Sequence, residues 1–181
     1  MSESEQWRMP VYKTISRTTR PTALAGIAFA ALAATPAYAA TDTANLGVSA
    51  EVISNCEVST TPVAFGNVNV VSGSNVDATG GLSVTCTTGT AWEATADAGL
   101  GTGATLASRK MADGAELLNY ALYTNAGRTT VWGDGDVTSS FSDTGNGAAQ
   151  ASTIYARIPA GQTSVPVGSY ADTVTVTVTY L

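Results

Sequence analysis

The sequence of 181 residues contains no histidine. Catalytic triads with an imidazole base and metal sites built on imidazole ligands are therefore excluded. The sequence also lacks a Gly-x-Ser-x-Gly nucleophile elbow and a Cys-x-x-Cys pair. A glycine-rich segment, GLGTG at 99–103, lacks the strand-to-helix context of a phosphate site, so we interpret it as a turn. We expect a protein that is not an enzyme, with no catalytic residue and no cofactor.

The acidic residues are scattered along the chain. Asp97, Asp113 and Glu116 could be imagined as the carboxylates of a glycosidase, but nothing in the sequence brings any two of them together. The WGDG turn, which contains Asp134, offers oxygen ligands for calcium together with Asp136 and Asp143, yet the spacing does not match an EF-hand loop. Acid–glycine clusters are also common in ordinary turns. We expect no metal site, with calcium at this turn as an open alternative.

Basic residues are few, and half of them stand near the amino terminus. Residues 1–39 hold two acidic and four basic residues, so the rest of the chain has a net charge of −8. Such an acidic surface disfavours nucleic acid and anionic membranes as partners. The basic start, the apolar run at 23–34 and the small-x-small site Ala37-Tyr38-Ala39 predict a secretory signal peptide. We expect cleavage between Ala39 and Ala40, export, and no membrane span in the mature protein; a retained anchor is the alternative.

The two cysteines, Cys56 and Cys86, both follow the predicted cleavage site. An even pair in an exported chain favours a disulfide over a metal site or free thiols. Closing the loop between them stabilises the fold by about 3–4 kcal/mol on the chain-entropy estimate. We predict that Cys56 and Cys86 are bonded.

Short apolar runs rich in valine and threonine alternate with turn-forming residues along the predicted mature chain. Many short strands separated by turns are typical of an antiparallel sandwich or barrel. The predicted strands are 44–53, 57–66, 81–88, 91–97, 105–112, 117–124, 129–133, 152–159 and 170–181. The stretch 133–151 has the weakest pattern and is predicted to be a long surface loop.

The first and the last predicted strands alternate strictly between apolar and polar residues, as strands with one buried face do. The apolar row of the first strand is Ala44, Leu46, Val48, Ala50 and Val52. The apolar row of the last strand is Val174, Val176, Val178 and Tyr180. The last strand is nearly uncharged, and an unpaired strand edge without charges promotes aggregation, so another segment must pair with it or shield it. The first strand precedes both cysteines, where it could complete its own domain or another one.

Aromatic residues in the predicted strands could line a sugar-binding face or pack in the core. Core or cross-strand packing is the commoner role for aromatics in strand patterns and is our interpretation. The residues concerned are Trp92, Tyr120, Tyr123, Trp132, Tyr155 and Tyr170.

Four segments carry a resemblance to a known family. They are AEVISNCEVSTTPVAFGNV from 50, GLSVTCTTGTAWEATADAG from 81, LLNYALYTNAGRTTVWGDG from 117 and IPAGQTSVPVGSYADTVTVTVTYL from 158. The more specific parts are the Gly-x-Tyr-x-Asp block of Gly168, Tyr170 and Asp172, and the WGDG turn at 132–135. Together they resemble the spore coat protein U domain family, the pilins of archaic (Csu-type) chaperone–usher fimbriae. The resemblance covers nearly the whole predicted mature chain.

The resemblance implies an all-β fold, an incomplete immunoglobulin-like antiparallel β-sandwich that a donor strand from a neighbouring subunit completes. It implies a structural subunit of an extracellular pilus that polymerises by donor-strand exchange and supports attachment and biofilm formation. Residues 40–53 are then the donor extension, residues 54–181 form the pilin domain, and the row from Val174 to Tyr180 borders the acceptor groove. The implied partners are identical or related pilin subunits head to tail, a periplasmic chaperone and an outer-membrane usher.

Two other functions stay open from the sequence. A self-contained secreted β-sandwich could bind carbohydrate or another surface, with residues 44–53 folded back on their own domain. A spore-coat or cell-envelope component is the second alternative, in line with the name of the family. The chain has no room for the extra domain of a tip adhesin, so we expect a shaft subunit.

Overall fold

The computed structural model describes residues 38–136 and 138–181. Most of the predicted signal peptide, residues 1–37, lies outside the described part, and that prediction stays a prediction. Residues 48–181 form one compact unit. Residues 38–47 belong to a separate unit and are exposed, without regular secondary structure. The described residues contain no helix with the length and apolar character that crossing a membrane requires.

Eight β-strands account for the regular structure of the described residues. They are β1 (Cys56–Thr61), β2 (Val76–Cys86), β3 (Ala91–Ala96), β4 (Arg109–Asp113), β5 (Glu116–Tyr123), β6 (Phe141–Thr144), β7 (Ala149–Ile158) and β8 (Val176–Tyr180). Burial alternates along β2, β3 and β7, because successive side chains point to opposite faces of a strand. Gly89 and Gly114, with φ of 89° and 61°, supply the positive φ of the turns from β2 to β3 and from β4 to β5.

The strands form two antiparallel sheets. The larger sheet has the order β1-β2-β7-β5-β4, and the smaller sheet has the order β6-β3-β8. Every ladder between these strands is antiparallel. The inner faces of both sheets meet in one core, as in a sandwich. The prediction of an all-β antiparallel sandwich is confirmed.

The core includes Trp132, which follows β5 and belongs to no strand. Trp132 is buried, donates from its indole Nε1 to the Ala94 carbonyl at 3.0 Å, and packs edge-on against Phe141. The other buried members are Leu82, Val84, Cys86, Trp92, Ala94, Ala96, Leu118, Tyr120, Leu122, Ile154, Ala156 and Ile158. One continuous core therefore connects β2, β3, β5 and β7.

Several predicted strands are absent or shorter in the structure, and the strand predicted at 57–66 ends at Thr61 as β1. Residues 44–53 form no strand and are exposed; a strand exists only where a second backbone takes up its N–H and C=O groups. Residues 129–133 contribute only isolated bridges, at Val131 and Trp132. β4 begins at Arg109 instead of 105, because backbone bonds between Thr105 and Ser108 close a turn there.

The carboxyl-terminal strand and the predicted loop also differ from expectation. β8 begins at Val176, because the residues before it bond outside a regular ladder, Ala171 to Ala112 and Thr175 to Asp97. The stretch 133–151, predicted to be a loop, contains β6 and the first residues of β7. β6 has a polar sequence, and its pairing with β3 places its one large apolar residue, Phe141, against the core.

Candidate functional site

The two sheets are open on one side of the sandwich, between β1 and β8. β1 lies at an edge of the larger sheet and β8 at an edge of the smaller one, so each has a backbone edge without a partner strand in the described part. The two walls approach at one end, where the Ser54 hydroxyl donates to the Leu181 carbonyl at 3.3 Å. Two adjoining cavities separate the walls farther along. We call this opening the β1–β8 groove.

The first cavity, of about 220 Å³, adjoins the end of β1 and the start of β8. Thr61 and Pro62 line one side, and Val174 and Val176 line the other. The floor consists of the core residues Tyr120, Leu122, Trp132 and Ile154. Because the floor is part of the main core, an apolar occupant of this cavity would extend that core.

The second cavity, of about 630 Å³, shares Val63, Phe65 and Met111 with the first. Residues 63–70 form one of its sides, and residues 165–170 form the other. The partly buried apolar residues that line the groove and pack against the core are Val63, Phe65, Val68, Val70, Met111, Val165, Tyr170, Val174 and Val176. Polar groups, among them Asn67, Asn69 and Asp172, also line the cavities, and a concave surface that combines apolar side chains with a few polar groups is typical of a binding site.

Asp172 supports the rim of the first cavity through its carboxylate. It accepts hydrogen bonds from the Tyr120 hydroxyl at 2.7 Å and from the backbone N–H groups of Leu100 and Thr173 at 2.8 Å each. Burial and the hydrogen bond to Asp172 raise the pKa of Tyr120, so the phenol keeps its proton and its role as donor. Asp172 thereby ties the glycine-rich turn at 99–103 to the groove wall.

A second polar network holds the segment that leads into β8. The Asp97 carboxylate accepts from the Thr175 N–H at 2.9 Å and from the Gly99 N–H at 2.9 Å. Burial alone would raise the pKa of Asp97, but these hydrogen bonds and the charge of Arg109 outweigh it and lower the pKa.

Arg109 is fully buried, and burial lowers the pKa of its guanidinium. The guanidinium donates to four backbone carbonyls, those of Ala96, Asp97, Leu106 and Trp132. These acceptors offset much of the cost of burying a charge. Arg109 thus fixes the end of β3 and the adjoining turn beneath β8.

The structure places the row predicted in the last strand along one wall of the sandwich opening. Val174, Val176 and Val178 are partly buried against the core, whereas Tyr180 is 38% exposed. Of these four residues, Val174 and Val176 line the first cavity. The alternate threonines of the strand are exposed.

The row predicted in the first strand is exposed to solvent. Leu46 and Val48 are each 88% exposed, and Val52 is 84% exposed. Ala44 and Ala50 are exposed as well. Apolar side chains at this level of exposure contribute nothing to the stability of the subunit that carries them.

A disulfide joins Cys56 to Cys86, which are directly opposite each other in the β1–β2 ladder. The predicted bond is confirmed. It ties the first residue of β1 to the last residue of β2, at the end of the groove where the chain enters the domain.

The acidic residues singled out in the sequence have structural partners. Asp113 and Glu116 are opposite each other at the β4–β5 turn, contrary to the expectation that these acids are scattered, but both are exposed and neither lines the groove. The Asp134 carboxylate accepts from the Asp136 N–H and from the N–H and hydroxyl of Thr138, as in a turn. Within the described residues, no group of three or more metal-ligating side chains occurs.

The aromatic residues divide between three places. Trp92, Tyr120 and Trp132 are core residues, as interpreted from the sequence. Tyr123 and Tyr155 lie opposite each other in the β5–β7 ladder and are partly exposed. The guanidinium of Arg128 lies 5.6 Å from the centre of the Tyr155 ring. The third place is the groove, where Tyr170 lines the second cavity.

Sequence reasoning missed one wall of the groove. Residues 62–70 and Val165 were not assigned to it, although they provide much of its apolar surface. The available signal was the run PVAFGNVNVV, which has four valines and a phenylalanine and in which Val68 and Val70 alternate with Asn67 and Asn69 beyond Gly66. Because residues 62–70 form no strand in the structure, their apolar side chains need a partner surface that the segment itself does not provide.

The family model of the Spore Coat Protein U domain matches residues 42–177. The chain belongs to the Spore Coat Protein U domain family. Protein U of Myxococcus xanthus is 35% identical to it over 176 residues, which cover 88% of this chain and 97% of that protein. The family predicted from the sequence is confirmed.

A solved structure to which the chain is similar is a chaperone–tip adhesion subunit pre-assembly complex, CsuC–CsuE, from the archaic chaperone-usher Csu pili of Acinetobacter baumannii. The identity is 21% and the TM-score 0.46, over 70% of this chain and 40% of the matched chain. The chain therefore spans less than half the length of that solved chain. A likeness this remote carries no argument about function.

The Gly-x-Tyr-x-Asp block of this family member forms part of the groove wall. A side chain at Gly168 would displace the Asp113 carboxylate, which accepts a hydrogen bond from the Ser169 N–H at 3.1 Å. The Tyr170 hydroxyl donates to the Pro166 carbonyl at 2.9 Å, and its ring lines the second cavity. Asp172 completes the block through its bonds to Tyr120 and the 99–103 turn.

Proposed function

We propose that this protein is a structural subunit of an extracellular chaperone–usher pilus and that it polymerises by donor-strand exchange. Membership of the Spore Coat Protein U domain family supports this function. The observation that carries it is the presence, in one chain, of an open apolar groove and an exposed alternating apolar row.

The groove has the features of a strand acceptor. A strand inserted between β1 and β8 would take up their open backbone edges and cover the apolar walls. Every second side chain of the insert would face the core, since side chains of a strand have a period of two. The row from Ala44 to Val52 has that period. Burying Leu46, Val48 and Val52 at about 1.5–3 kcal/mol each gives roughly 5–9 kcal/mol before the entropy of ordering is subtracted.

Donation of a segment from each subunit to the next is a heterologous contact, which repeats without closing and produces a fibre. In this assembly residues 1–39 are removed on export, residues 40–53 donate the strand, and residues 54–181 form the pilin domain. Other pilin subunits are the head-to-tail partners. A periplasmic chaperone covers the open groove before assembly, and an outer-membrane usher delivers the subunit to the cell surface. Attachment and biofilm formation are the proposed roles of the fibre.

The rival hypothesis is a self-contained sandwich, completed by its own opening segment. That arrangement requires residues such as Val48 and Val52 to be buried on their own domain. They are 88% and 84% exposed, and no ladder in the described part includes them. Their exposure favours exchange between subunits over self-completion.

Deletion of residues 40–52 tests the proposal in cells that produce the matching chaperone and usher. We expect the variant to form a one-to-one chaperone complex, because every residue that lines its groove is retained. We expect no fibres in sheared cell-surface material by negative-stain microscopy, because the variant has no strand to donate. Normal fibres from this variant would contradict donor-strand exchange.

Two single substitutions test the register of the donor row. Val48→Asp places a carboxylate in the row that enters the groove, where an unpaired charge is costly, so fibre yield should fall close to that of the deletion. Ser49→Asp adds the same charge to the neighbouring face and should retain most of the yield. Equal yields from the two variants would rule out the assigned register.

A further inference from the structure

The polypeptide enters the domain through Ile53–Asn55, a short segment that is tied to the end of β2. The Thr87 N–H donates to the Asn55 carbonyl at 2.9 Å, and the Asn55 N–H donates to the Thr87 hydroxyl oxygen at 3.2 Å. The Thr87 hydroxyl in turn donates to the Ile53 carbonyl at 3.3 Å. We call Ile53–Asn55 together with Thr87 the exit clamp.

The hydrogen bonds from Thr87 lie on the side of β1 that faces β2. Cys56 pairs with Cys86 in the β1–β2 ladder, and Asn55 and Thr87 continue the same register by one residue. The groove lies along the other edge of β1, which has no partner strand. Thr87 therefore directs the chain that precedes Cys56 past the end of β2, not into the groove.

Ser54 bridges the near end of the groove. Its hydroxyl donates to the carbonyl of Leu181, which follows β8 on the opposite wall. To enter its own groove, the opening segment would have to turn back at residues 53–55 and run antiparallel to β1. That turn would break the bonds to Thr87 on one side and the bond to Leu181 on the other. The exposure of Val52 and Ile53, 84% and 71%, agrees with a chain that leaves the domain without turning back.

We propose that the exit clamp prevents the groove from capturing its own opening segment, with Thr87 as the positioning residue. This inference rests on the donor-strand function proposed above. With the clamp in place, the apolar row of one subunit is free to enter the groove of a second copy of this chain. The groove of the first subunit stays open for the row of a different copy. The clamp is needed because a segment tethered to its own domain competes for the groove at an effective concentration of about 1 mM, far above the concentration of free subunits.

Peptide capture during refolding tests the clamp. The exported protein is diluted from denaturant into a labelled peptide of residues 40–53, and native mass spectrometry measures the fraction of subunits that carry peptide. Thr87→Val keeps the shape of the side chain and removes its hydroxyl. With peptide at about 0.1 mM against a tethered segment at about 1 mM, we expect the variant to capture about tenfold less peptide than the wild type.

Two substitutions serve as matched controls. Thr87→Ser retains the hydroxyl and should capture peptide as the wild type does. Thr88→Val removes a hydroxyl from the neighbouring exposed residue and should also behave as the wild type. Loss of capture in Thr87→Ser or Thr88→Val equal to that in Thr87→Val would overturn the clamp.

The double variant Thr87→Val, Val48→Asp separates self-capture from a general loss of structure. Disabling the variant's own row should restore peptide capture to the wild-type level, which a misfolded protein would not show. Wild-type capture by Thr87→Val alone, or no recovery in the double variant, would overturn the clamp and leave the donor-strand function standing. If no variant and no wild-type protein captures peptide, the donor-strand function fails, and the clamp fails with it.

Discussion

Two segments of this chain have the same alternating pattern and very different environments. Val174, Val176 and Val178 are partly buried against the core, and β8 pairs with β3. Val48 and Val52 are exposed, and no ladder in the described part includes them. Both rows are apolar, contain valine and alternate with residues that are mostly polar, so the pattern does not explain the contrast. Alternation shows that a strand face needs burial, but it does not show which molecule provides the partner.

The contrast follows from where each segment stands relative to the β1–β8 groove. Val174 and Val176 lead into a strand that has β3 beside it, and they form one side of the first cavity. The opening segment precedes the disulfide, and the exit clamp holds residues 53–55 beside Thr87, past the end of β2. The row in and before β8 thus borders the β1–β8 groove. The exposed row of residues 44–52 is proposed to fill that groove in another subunit.

Removal of the disulfide should have the largest effect on the packed region. The loop between Cys56 and Cys86 spans 30 positions and lies entirely within the domain, so Cys56→Ala with Cys86→Ala should lower the free energy of unfolding by about 3–4 kcal/mol. Urea denaturation followed by circular dichroism measures the change. Wild-type protein in reductant is the control and should lose the same amount. Coincident denaturation curves for oxidised and reduced protein would contradict the prediction.

A charge in the packed row should have the next largest effect. Val176→Asp should lower the free energy of unfolding by about 2–3 kcal/mol, since Val176 is partly buried and the groove admits some water to the carboxylate. Thr177→Asp is the matched control, because Thr177 lies on the exposed face of the same strand. Thr175 is unsuitable, because an aspartate there would face the carboxylate of Asp97. Equal destabilisation by the two variants would contradict the observation that Val176 points to the core and Thr177 to solvent.

Much of the sandwich could be predicted from the sequence, because burial of one face leaves a period of two. The cores of β2, β3, β5 and β7 fall within predicted strands for that reason. β6 was missed because its four residues include one apolar side chain, Phe141. The run 129–133 was predicted as a strand because valine and tryptophan favour strands, yet Trp132 enters the core without a ladder.

The candidate site was predictable only in part. Its long alternating rows and its cysteine pair have clear sequence signatures, whereas the wall at 62–70 has only a short alternation at 67–70, which is too brief to identify a groove. Arg109 was also beyond sequence reasoning. Its guanidinium donates only to backbone carbonyls. Because every residue has a backbone carbonyl, no acidic side chain in the sequence marks Arg109 as a buried, paired charge.

Acid should weaken the packed segment through Asp97, which holds Thr175 just before β8. A carboxyl whose pKa is lowered by folding stabilises the folded state above its unfolded pKa of about 3.9, and that stabilisation is lost as the pH falls through the lower folded value. The free energy of unfolding should therefore decline below about pH 4. The effect is small, because the carboxyl is exposed and solvent screens its interactions.

Asp97→Asn should show a shallower decline than the wild type when urea denaturation is repeated from pH 7 to about pH 2. The pKa of Asp77 is lowered mainly by the hydrogen bond from Arg157. Its protonation in acid also lowers the free energy of unfolding, by the same amount in Asp97→Asn and in the wild type. Asp136→Asn, in an exposed turn, is the control and should follow the wild type. Parallel profiles for Asp97→Asn and the wild type would exclude this role for Asp97.

The exposed row should have the smallest effect on the stability of the monomer. Val48→Asp should change the free energy of unfolding by less than about 0.5 kcal/mol, because a side chain that is 88% exposed has little apolar contact to lose. The same substitution at Val176 should cost several times more, although both residues are valines in alternating rows. The difference arises because Val176 packs within its own subunit, while Val48 gains a partner only when another subunit presents its groove. Urea denaturation of both variants at a dilution that keeps the protein monomeric measures this difference. A destabilisation by Val48→Asp as large as that by Val176→Asp would mean that residue 48 packs on its own domain, and the self-contained sandwich would then be the better explanation of this protein.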